Sequence, residues 1–536
     1  MANATRKLAV AALSLPIIAI SAHAADKPVA TEAKIQALQQ QLETLQSQIA
    51  DIKKSNEDQI ADVKKKNEEL AKQAEDSKKA QAGAGKVTLT NGRPTFTSAD
   101  GQFTASIYAN GQADYAYYMQ GKEARSLSNG PDLSSGANIR RAQLGIQGKV
   151  FGDWSYNFLY DFGGAGTETP GKILYSYLQY DGLAPFSVRI GAFAPAYNVE
   201  DQTSSSQLMF LERSSPTNII RNVAGSEGRL AIAAIYTGEE FYGSLAYSAS
   251  KIAETSQYDE QSALVGRASY LVINDKESDA HLLVGGGFTH VMKLPDLASA
   301  NTVGTHTLTL SDIPELAVDD NSQKLISTGA LNAGHFTALS GEVAGNYQNF
   351  YLQGAYNYMQ VSRAATNYTV YKSASSSSTV SAKPDSDKFS AWYVQASWVI
   401  TGESKQYVPG TGSFGLPKPA HPFSIKTGDI GAWEIAARFS DTDLNAHDDD
   451  PSSLITGWTS AGVKTYSFLN AVRGGEQKNI TLGLNWYPNN TIRFQLDYMW
   501  IDVDRLSGGT ATTASLPTKQ IGQDLQAVAF RAQVAF

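Results

Sequence analysis

Seven basic side chains are the residues best placed to do chemistry in this chain: Arg140, Arg141, Lys149, Arg189, Arg213, Arg221 and Arg438. Their chemistry is non-covalent. A guanidinium presents its donors in a fixed fork that matches two oxygens of a carboxylate or phosphate, whereas an ammonium acts as a point charge. Alternation along the chain places most of them. Arg141, Gln143 and Lys149 share one face of a segment whose other face carries Ala142, Leu144, Ile146 and Val150. Arg189 alternates against Val188 and Ile190, and Glu434 and Arg438 lie opposite Trp433, Ile435 and Phe439. Arg140 has the parity opposite to Arg141, so it reaches the same face only at a bulge or a rim. Arg213 and Arg221 fall in a long connection, 195–226. The competing role for each is an ordinary ion pair on a solvated wall or loop.

Other chemistry has little support. The chain has no cysteine, which excludes thiolate metal sites and cysteine nucleophiles. Histidines 23, 281, 290, 306, 335, 421 and 447 are scattered. No Gly-x-Ser-x-Gly elbow and no phosphate-cradling Gly-x-x-x-x-Gly-Lys-Ser/Thr is present. We therefore expect no catalytic residues, no resident metal and no cofactor. An enzyme carried on the same scaffold is the rejected alternative. The run Asp448–Asp450 is expected in a solvated loop, with a calcium or lipopolysaccharide bridge as its second role. The formal charge of −8 argues against a nucleic-acid partner. The first 24 residues hold two cations, and residues 25–85 hold ten lysines against eleven acids, so residues 86–536 carry −9. Such a balance does not by itself predict an anion funnel.

The elements that position these residues are long strands. After the N-terminus no apolar run approaches ~18 residues, so helical membrane spans are excluded. From Gly101 the period becomes two. Ile480, Leu482, Leu484 and Trp486 alternate with Thr481 and Asn485, and Phe494, Leu496, Tyr498 and Trp500 with Arg493, Gln495, Asp497 and Met499. One face is greasy and the other polar. Sixteen such segments are expected: 101–118, 138–151, 153–162, 171–181, 186–194, 227–237, 240–249, 261–273, 280–292, 335–347, 349–362, 388–401, 429–440, 477–488, 490–503 and 524–536. Every second connection is short, as at Gly152-Asp153, Gly238-Glu239 and Pro488-Asn489, and the others are long and rich in Ser, Asp, Gly and Pro. Residues 402–428 break that rule with a long link on the short-turn side. The pattern predicts an all-β transmembrane barrel of sixteen antiparallel strands.

The N-terminal part reads differently. Arg6 and Lys7, an apolar stretch from Leu8 to Ile20 and Ala22-His23-Ala24 form a secretory leader, 1–24. Residues 25–85 then carry a heptad seam, Ile35, Leu38, Leu42, Leu45, Ile49 and Ile52, that predicts an α-helical coiled coil, leaning to three strands. Ala82-Gly83-Ala84-Gly85 is expected to hinge it to a barrel domain, 86–536. The last strand alternates Val528, Phe530, Ala532, Val534 and Phe536. That ending resembles the signal read by the outer-membrane insertion machinery.

Several patches, in order, are similar to the phosphate-selective porin family. They are Arg140-Arg141-Ala142-Gln143-Leu144-Gly145, Gly152-Asp153-Trp154-Ser155-Tyr156, Tyr160-Asp161-Phe162, Phe210-Leu211-Glu212-Arg213, Thr401-Gly402-Glu403-Ser404, Gly431-Ala432-Trp433-Glu434 and Leu482-Gly483-Leu484-Asn485-Trp486-Tyr487. The resemblance spans roughly residues 100–536 and implies a trimeric, water-filled pore whose third external loop, 195–226, folds inward. It implies that Arg140 and Arg141 belong to an anion-binding lining, and it accounts for the long link after Thr401. The family's early Gly-Gly-Arg-x-Gln strand reads Ala109-Asn110-Gly111-Gln112 here. A family Asp is replaced by Leu174, and Ala194, Tyr197, Glu200 and Asp201 stand where basic residues are expected.

The expected function is passive diffusion of small hydrophilic solutes, with phosphate or polyphosphate as the solute the resemblance implies. The alternatives are a general, weakly selective pore and a cell-wall tether whose barrel is only an anchor. The expected place is the outer membrane of a Gram-negative bacterium, with the N-terminal segment in the periplasm. Expected partners are two further copies, membrane lipid and lipopolysaccharide, small anions and, through the coiled coil, the cell wall.

Overall fold

The computed structural model describes residues 29–83, 85–90, 92–121, 131–163, 171–252, 260–295, 306–319, 323–459, 462–508 and 510–536. The expected secretory leader, 1–24, lies outside them. The chain divides into two units, at Ala84 and Gly85.

In the second unit sixteen strands form one closed antiparallel wall. They are β1 Thr104–Gln120, β2 Gly136–Val150, β3 Trp154–Asp161, β4 Lys172–Leu183, β5 Phe186–Phe193, β6 Arg229–Thr237, β7 Phe241–Lys251, β8 Ser262–Asp275, β9 Ala280–Lys293, β10 Leu331–Tyr347, β11 Phe350–Arg363, β12 Asp387–Val399, β13 Ala432–Ala446, β14 Val472–Tyr487, β15 Ile492–Asp504 and β16 Leu525–Ala535. Each pairs with its sequence neighbour, and β16 returns to β1 with Phe530 opposite Tyr115 and Arg531 opposite Asp114. Closure leaves no wall strand with an unpaired edge, which membrane insertion requires. Every expected strand is present.

Burial is inverted relative to a water-soluble protein. Arg493 and Arg531 are among the largest fully buried side chains, while Leu496 is 44% and Phe530 40% exposed on the opposite face of the same strands. Apolar residues outside and charges inside mark a wall that faces lipid and encloses a polar lumen. Left-handed residues tighten two of the short turns, Gly152 at φ 73° and Gln348 at φ 51°.

Three segments fill the lumen. The 194–228 loop carries α2 (Val199–Gln202) and α3 (Ser215–Ala224). From the same end, part of the 294–330 loop folds in: Leu308, Leu310, Leu316, Val318 and Ile326 bury against Ile219 and Ile220 of α3 and against wall residues such as Met359 and Phe389. Only the first of these loops was expected to fold inward. The second does so because its apolar residues find a dry seat there. The link after β12 enters from the short-turn end and seats Phe414 against Tyr351, ring centroids 5.2 Å apart.

Other elements were not anticipated. A leading hairpin, Lys86–Thr90 and Arg93–Thr97, joins β1 through Thr95 opposite Ser106. At the long-loop end are a hairpin of Thr366–Ser373 with Ser376–Ala382 and a three-stranded sheet of Ser453–Trp458, Lys464–Phe468 and Thr510–Ala511. In the first unit, α1 runs unbroken from Val29 to Gly83, so helix occupies part of the expected hinge. Its seam residues Ile35, Leu38, Leu42, Leu45, Ile49 and Ile52 are all half-exposed or more in the single chain.

Candidate functional site

The middle of the lumen is built where the 194–228 loop presses on the wall. Its backbone carbonyls have left water and need donors. Lumen-facing side chains supply them. Gln533 donates to Ser206 O at 2.9 Å, Arg493 to Leu208 O at 2.8 Å, and Asn485 and Gln495 to Met209 O at 3.0 and 3.2 Å. Arg531 donates to Leu211 O at 2.5 Å and Arg438 to Glu212 O at 3.0 Å. Asp497 accepts the Leu211 N–H at 2.9 Å.

This held loop delivers Glu212 into a cluster of guanidiniums. Arg140 grips it bidentately, Nε to Oε1 at 2.7 Å and Nη2 to Oε2 at 3.1 Å. Arg531 reaches Oε1 at 3.1 Å and Arg141 reaches Oε2 at 3.4 Å. Arg531 also holds Asp114 by two 2.6 Å bonds, and Arg141 donates to Gln112 Oε1 at 2.7 Å. Burial pushes the Glu212 carboxyl up, but Arg140, Arg141 and Arg531 outweigh it and hold the group well below the usual carboxylate range. Two adjacent arginines share the lumen because β2 is bulged: Gln112 of β1 pairs with Arg141 and Ala113 with Ile139, leaving Arg140 as the extra residue.

A second cluster joins the two inward-folded loops. Arg438 pairs with Glu315 at 2.6 Å and lies 3.7 Å from Glu200. Glu315 accepts the Ser215 N–H at 2.8 Å, at the start of α3. Asp312 accepts from the Ser215 hydroxyl at 2.9 Å and Asn218 at 2.7 Å. Burial pushes the Asp312 carboxyl up to about 7, against those two hydrogen bonds.

The seven basic residues read from the sequence therefore have unlike fates. Arg140 and Arg141 come together with Glu212. Arg438 is in the lumen but paired. Arg213 donates to the carbonyls of Glu200, Asp201 and Thr203, at 3.2, 3.5 and 2.6 Å, and staples the loop to itself. Arg221 pairs with Asp201 at 2.7 Å and with Glu227. Neither presents a free cation to the lumen. Arg189 bonds Gln179 at 2.7 Å and lies 4.4 Å over the Tyr177 ring, apart from the cluster. Lys149 is at the short-turn rim, where it lines a groove of about 500 Å³ with Lys86, Phe96 and Tyr156. Glu434, expected to face Arg438's side of the lumen, is there but pairs with Lys405 of the inward link at 2.8 Å.

The sequence reading missed Arg531, although its parity against Phe530 and Ala532 marked it as inward. It also missed Arg267, which pairs with Glu342 at 2.9 Å and donates to Thr411 O at 2.7 Å and Gly412 O at 2.6 Å. Among the described residues no group of three or more metal-ligating side chains is present.

A closed sixteen-stranded wall with lipid-facing apolar residues, a charged lumen and an inward loop bearing on it defines a transmembrane β-barrel pore. The family described as phosphate-selective porin O and P matches residues 106–536, and the chain belongs to it. It is an outer-membrane porin. Porin O of Pseudomonas aeruginosa is 24% identical over 452 residues, covering 80% of this chain and 91% of that protein. Among solved structures, the chain is similar to the anion-selective porin of Comamonas acidovorans (TM-score 0.45, 12% identity, 81% of this chain and 100% of that one). It is also similar to the trimer form of OmpT from Vibrio cholerae (TM-score 0.43, 9% identity, 81% and 99%).

Proposed function

We propose that this porin is a homotrimer that passes small hydrophilic solutes passively and prefers anions of the phosphate class. The observation that carries the preference is the mid-lumen cluster, where Arg140, Arg141 and Arg531 meet two carboxylates among the described residues, Glu212 and Asp114. Arg140 keeps 24% of its side chain open to solvent there, a cationic contact for a passing anion inside a chain that is acidic overall. Selectivity follows the charge lining the narrow zone rather than the net charge. The paired state of Arg213, Arg221 and Arg438 supports a weak preference rather than tight phosphate capture. The outward apolar face meets membrane lipid and lipopolysaccharide.

The unpartnered seam of α1 supports a second element of this reading. Residues 1–24 are removed on export, residues 25–85 of three copies associate as a periplasmic coiled coil that reaches the cell wall, and residues 86–536 form each barrel. Deleting residues 26–85 is expected to lower the heat stability of the trimer, and unchanged stability would sink that part.

The test of selectivity is planar-bilayer recording in a KCl gradient. Wild-type protein should show conductance in triplets, an anion-selective reversal potential and partial block by phosphate. The Arg140→Ala/Arg141→Ala double variant should lose most of that preference. A reversal potential unchanged by the double substitution would remove these arginines from the selectivity of the pore.

A further inference from the structure

The anion-facing arginines already hold an anion, the Glu212 carboxylate. We propose that Glu212 is the specificity-determining residue of this pore, a tethered carboxylate that occupies the oxyanion seat of Arg140, Arg141 and Arg531 and that a permeating oxyanion must displace. This inference rests on the anion-pore reading above.

Three observations carry it. The first is geometric fit. The fork of Arg140 engages both Glu212 oxygens, at 2.7 and 3.1 Å, and the Arg531 and Arg141 guanidiniums close from other sides, at 3.1 and 3.4 Å. A dissolved carboxylate or phosphate would make the same bidentate bonds. It therefore substitutes for Glu212 and does not add to it.

The second is where the carboxylate is mounted. It comes from the inward loop rather than the wall, and Arg140 keeps 24% of its side chain open to solvent. An arriving anion thus has an open part of the Arg140 side chain to meet before Glu212 is released. Asp114, by contrast, is on the wall strand β1, locked to Arg531 by two 2.6 Å bonds, with its side chain 1% exposed.

The third is that the loop does not depend on the Glu212 side chain. Its backbone is fixed by Arg438 at Glu212 O, by Arg531 at Leu211 O and by Asp497 at Leu211 N. The side chain can swing while the loop stays in place. Without Glu212, Arg140 has no carboxylate partner among the described residues, and Arg141 keeps Gln112.

Competition of this kind sets a middle course. A bare cluster of three guanidiniums would retain an oxyanion, and conduction requires binding weak enough to release. A resident carboxylate returns to the seat as the solute leaves.

The experiment compares wild type, E212Q and E212D as intact reconstituted protein, with inorganic phosphate as the probe. Phosphate binding to detergent-solubilised protein is measured by calorimetry in parallel. E212Q should raise the chloride-to-potassium permeability ratio by roughly threefold or more, because the cluster becomes more positive by one charge. The phosphate concentration that halves the chloride current should fall about tenfold, because the fork of Arg140 is then open to phosphate as a charge-assisted bidentate partner. E212D should fall between wild type and E212Q in phosphate block and affinity, because its shorter reach loosens the grip on Arg140, and should leave the permeability ratio near wild type, because it keeps the charge. If E212Q does not fold, E212D carries the test with a smaller shift in block and affinity in the same direction. A folded E212Q, or failing it E212D, that matches wild type in permeability ratio, phosphate block and calorimetric affinity overturns the proposal. A wild-type protein without anion preference overturns the pore reading instead, and the calorimetric comparison still decides the role of Glu212.

Discussion

The two halves of the occupied lumen are held by different balances of force. Near the long loops, Leu310, Leu316, Val318 and Ile326 of the 294–330 loop sit in an apolar seat made by α3, Met359, Val361 and Phe389. At mid-lumen, the 205–212 stretch is held by charged and amide side chains that each reach a particular backbone atom. Apolar burial is non-directional and scales with area. It keeps a loop down without dictating its register. Hydrogen bonds to buried groups are directional, and each one lost leaves an orphan. The first half has directional bonds too, such as Asn138 to Ala317 O at 2.9 Å and Arg438 to Glu315 at 2.6 Å. Its apolar seat nevertheless leaves it more room to shift than the second half, which leans on such bonds throughout. A pore needs the fixed half where solutes are sorted.

The strongest way to break this contrast is Arg531→Met. It leaves Asp114 and Glu212 short of a buried cation, a loss of about 3–5 kcal/mol for breaking a buried pair. The temperature at which the folded band unfolds on an SDS gel should fall sharply. A stability near wild type would mean that the mid-lumen bonds are not what fixes the wall to the loop. Ile326→Ala probes the other half. Ile326 is fully buried. The loss should be about 2–3 kcal/mol of loop packing rather than of barrel stability, at the low end for such a truncation, because a loop can settle into the space. The barrel's unfolding temperature should barely change, while single-channel current should become noisier.

The smallest effect sharpens the boundary between the halves, where Asp312 joins both loops. Its carboxyl titrates near 7 when packed and at 3.8 when free. The packed state thus binds a proton that the free state has given up. Packing should strengthen as pH falls through 7 and change no further below about 4. Channel noise should fall over that window in the wild type and stay flat in Asp312→Asn.

Much of the mid-lumen half was legible in the sequence, and most of the apolar half was not. The wall strands announce themselves because lipid and lumen enforce a period of two, as in Leu482, Leu484 and Trp486 against Thr481 and Asn485. Arg140 and Arg141 were singled out by type, and their opposed parity left a bulge or a rim position as the ways to bring both inward; the structure has the bulge. Arg531 could have been found by parity alone. The pairing of Arg221 with Asp201, or of Lys405 with Glu434, was not readable, since neither alternation nor spacing links an inward segment to its partner. The 294–330 loop hid its role for a related reason. Leu308 and Leu310 are two apolar residues among Thr, Ser and Asp, and only a distant helix makes them a core.

The bulge at Arg140 has a consequence for how such a wall can change. A strand is a counting frame with two states, inside and outside, and a single surplus residue resets the count at that point. Insertion of one codon here places a new guanidinium beside an old one, and β2 keeps its greasy face on either side. Loss of one codon would erase the doublet just as cleanly. Substitution swaps the side chain at a fixed address, whereas this kind of event creates or deletes the address. Lineages of such barrels can therefore gain or shed lumen charge in single steps without passing through a misfaced strand.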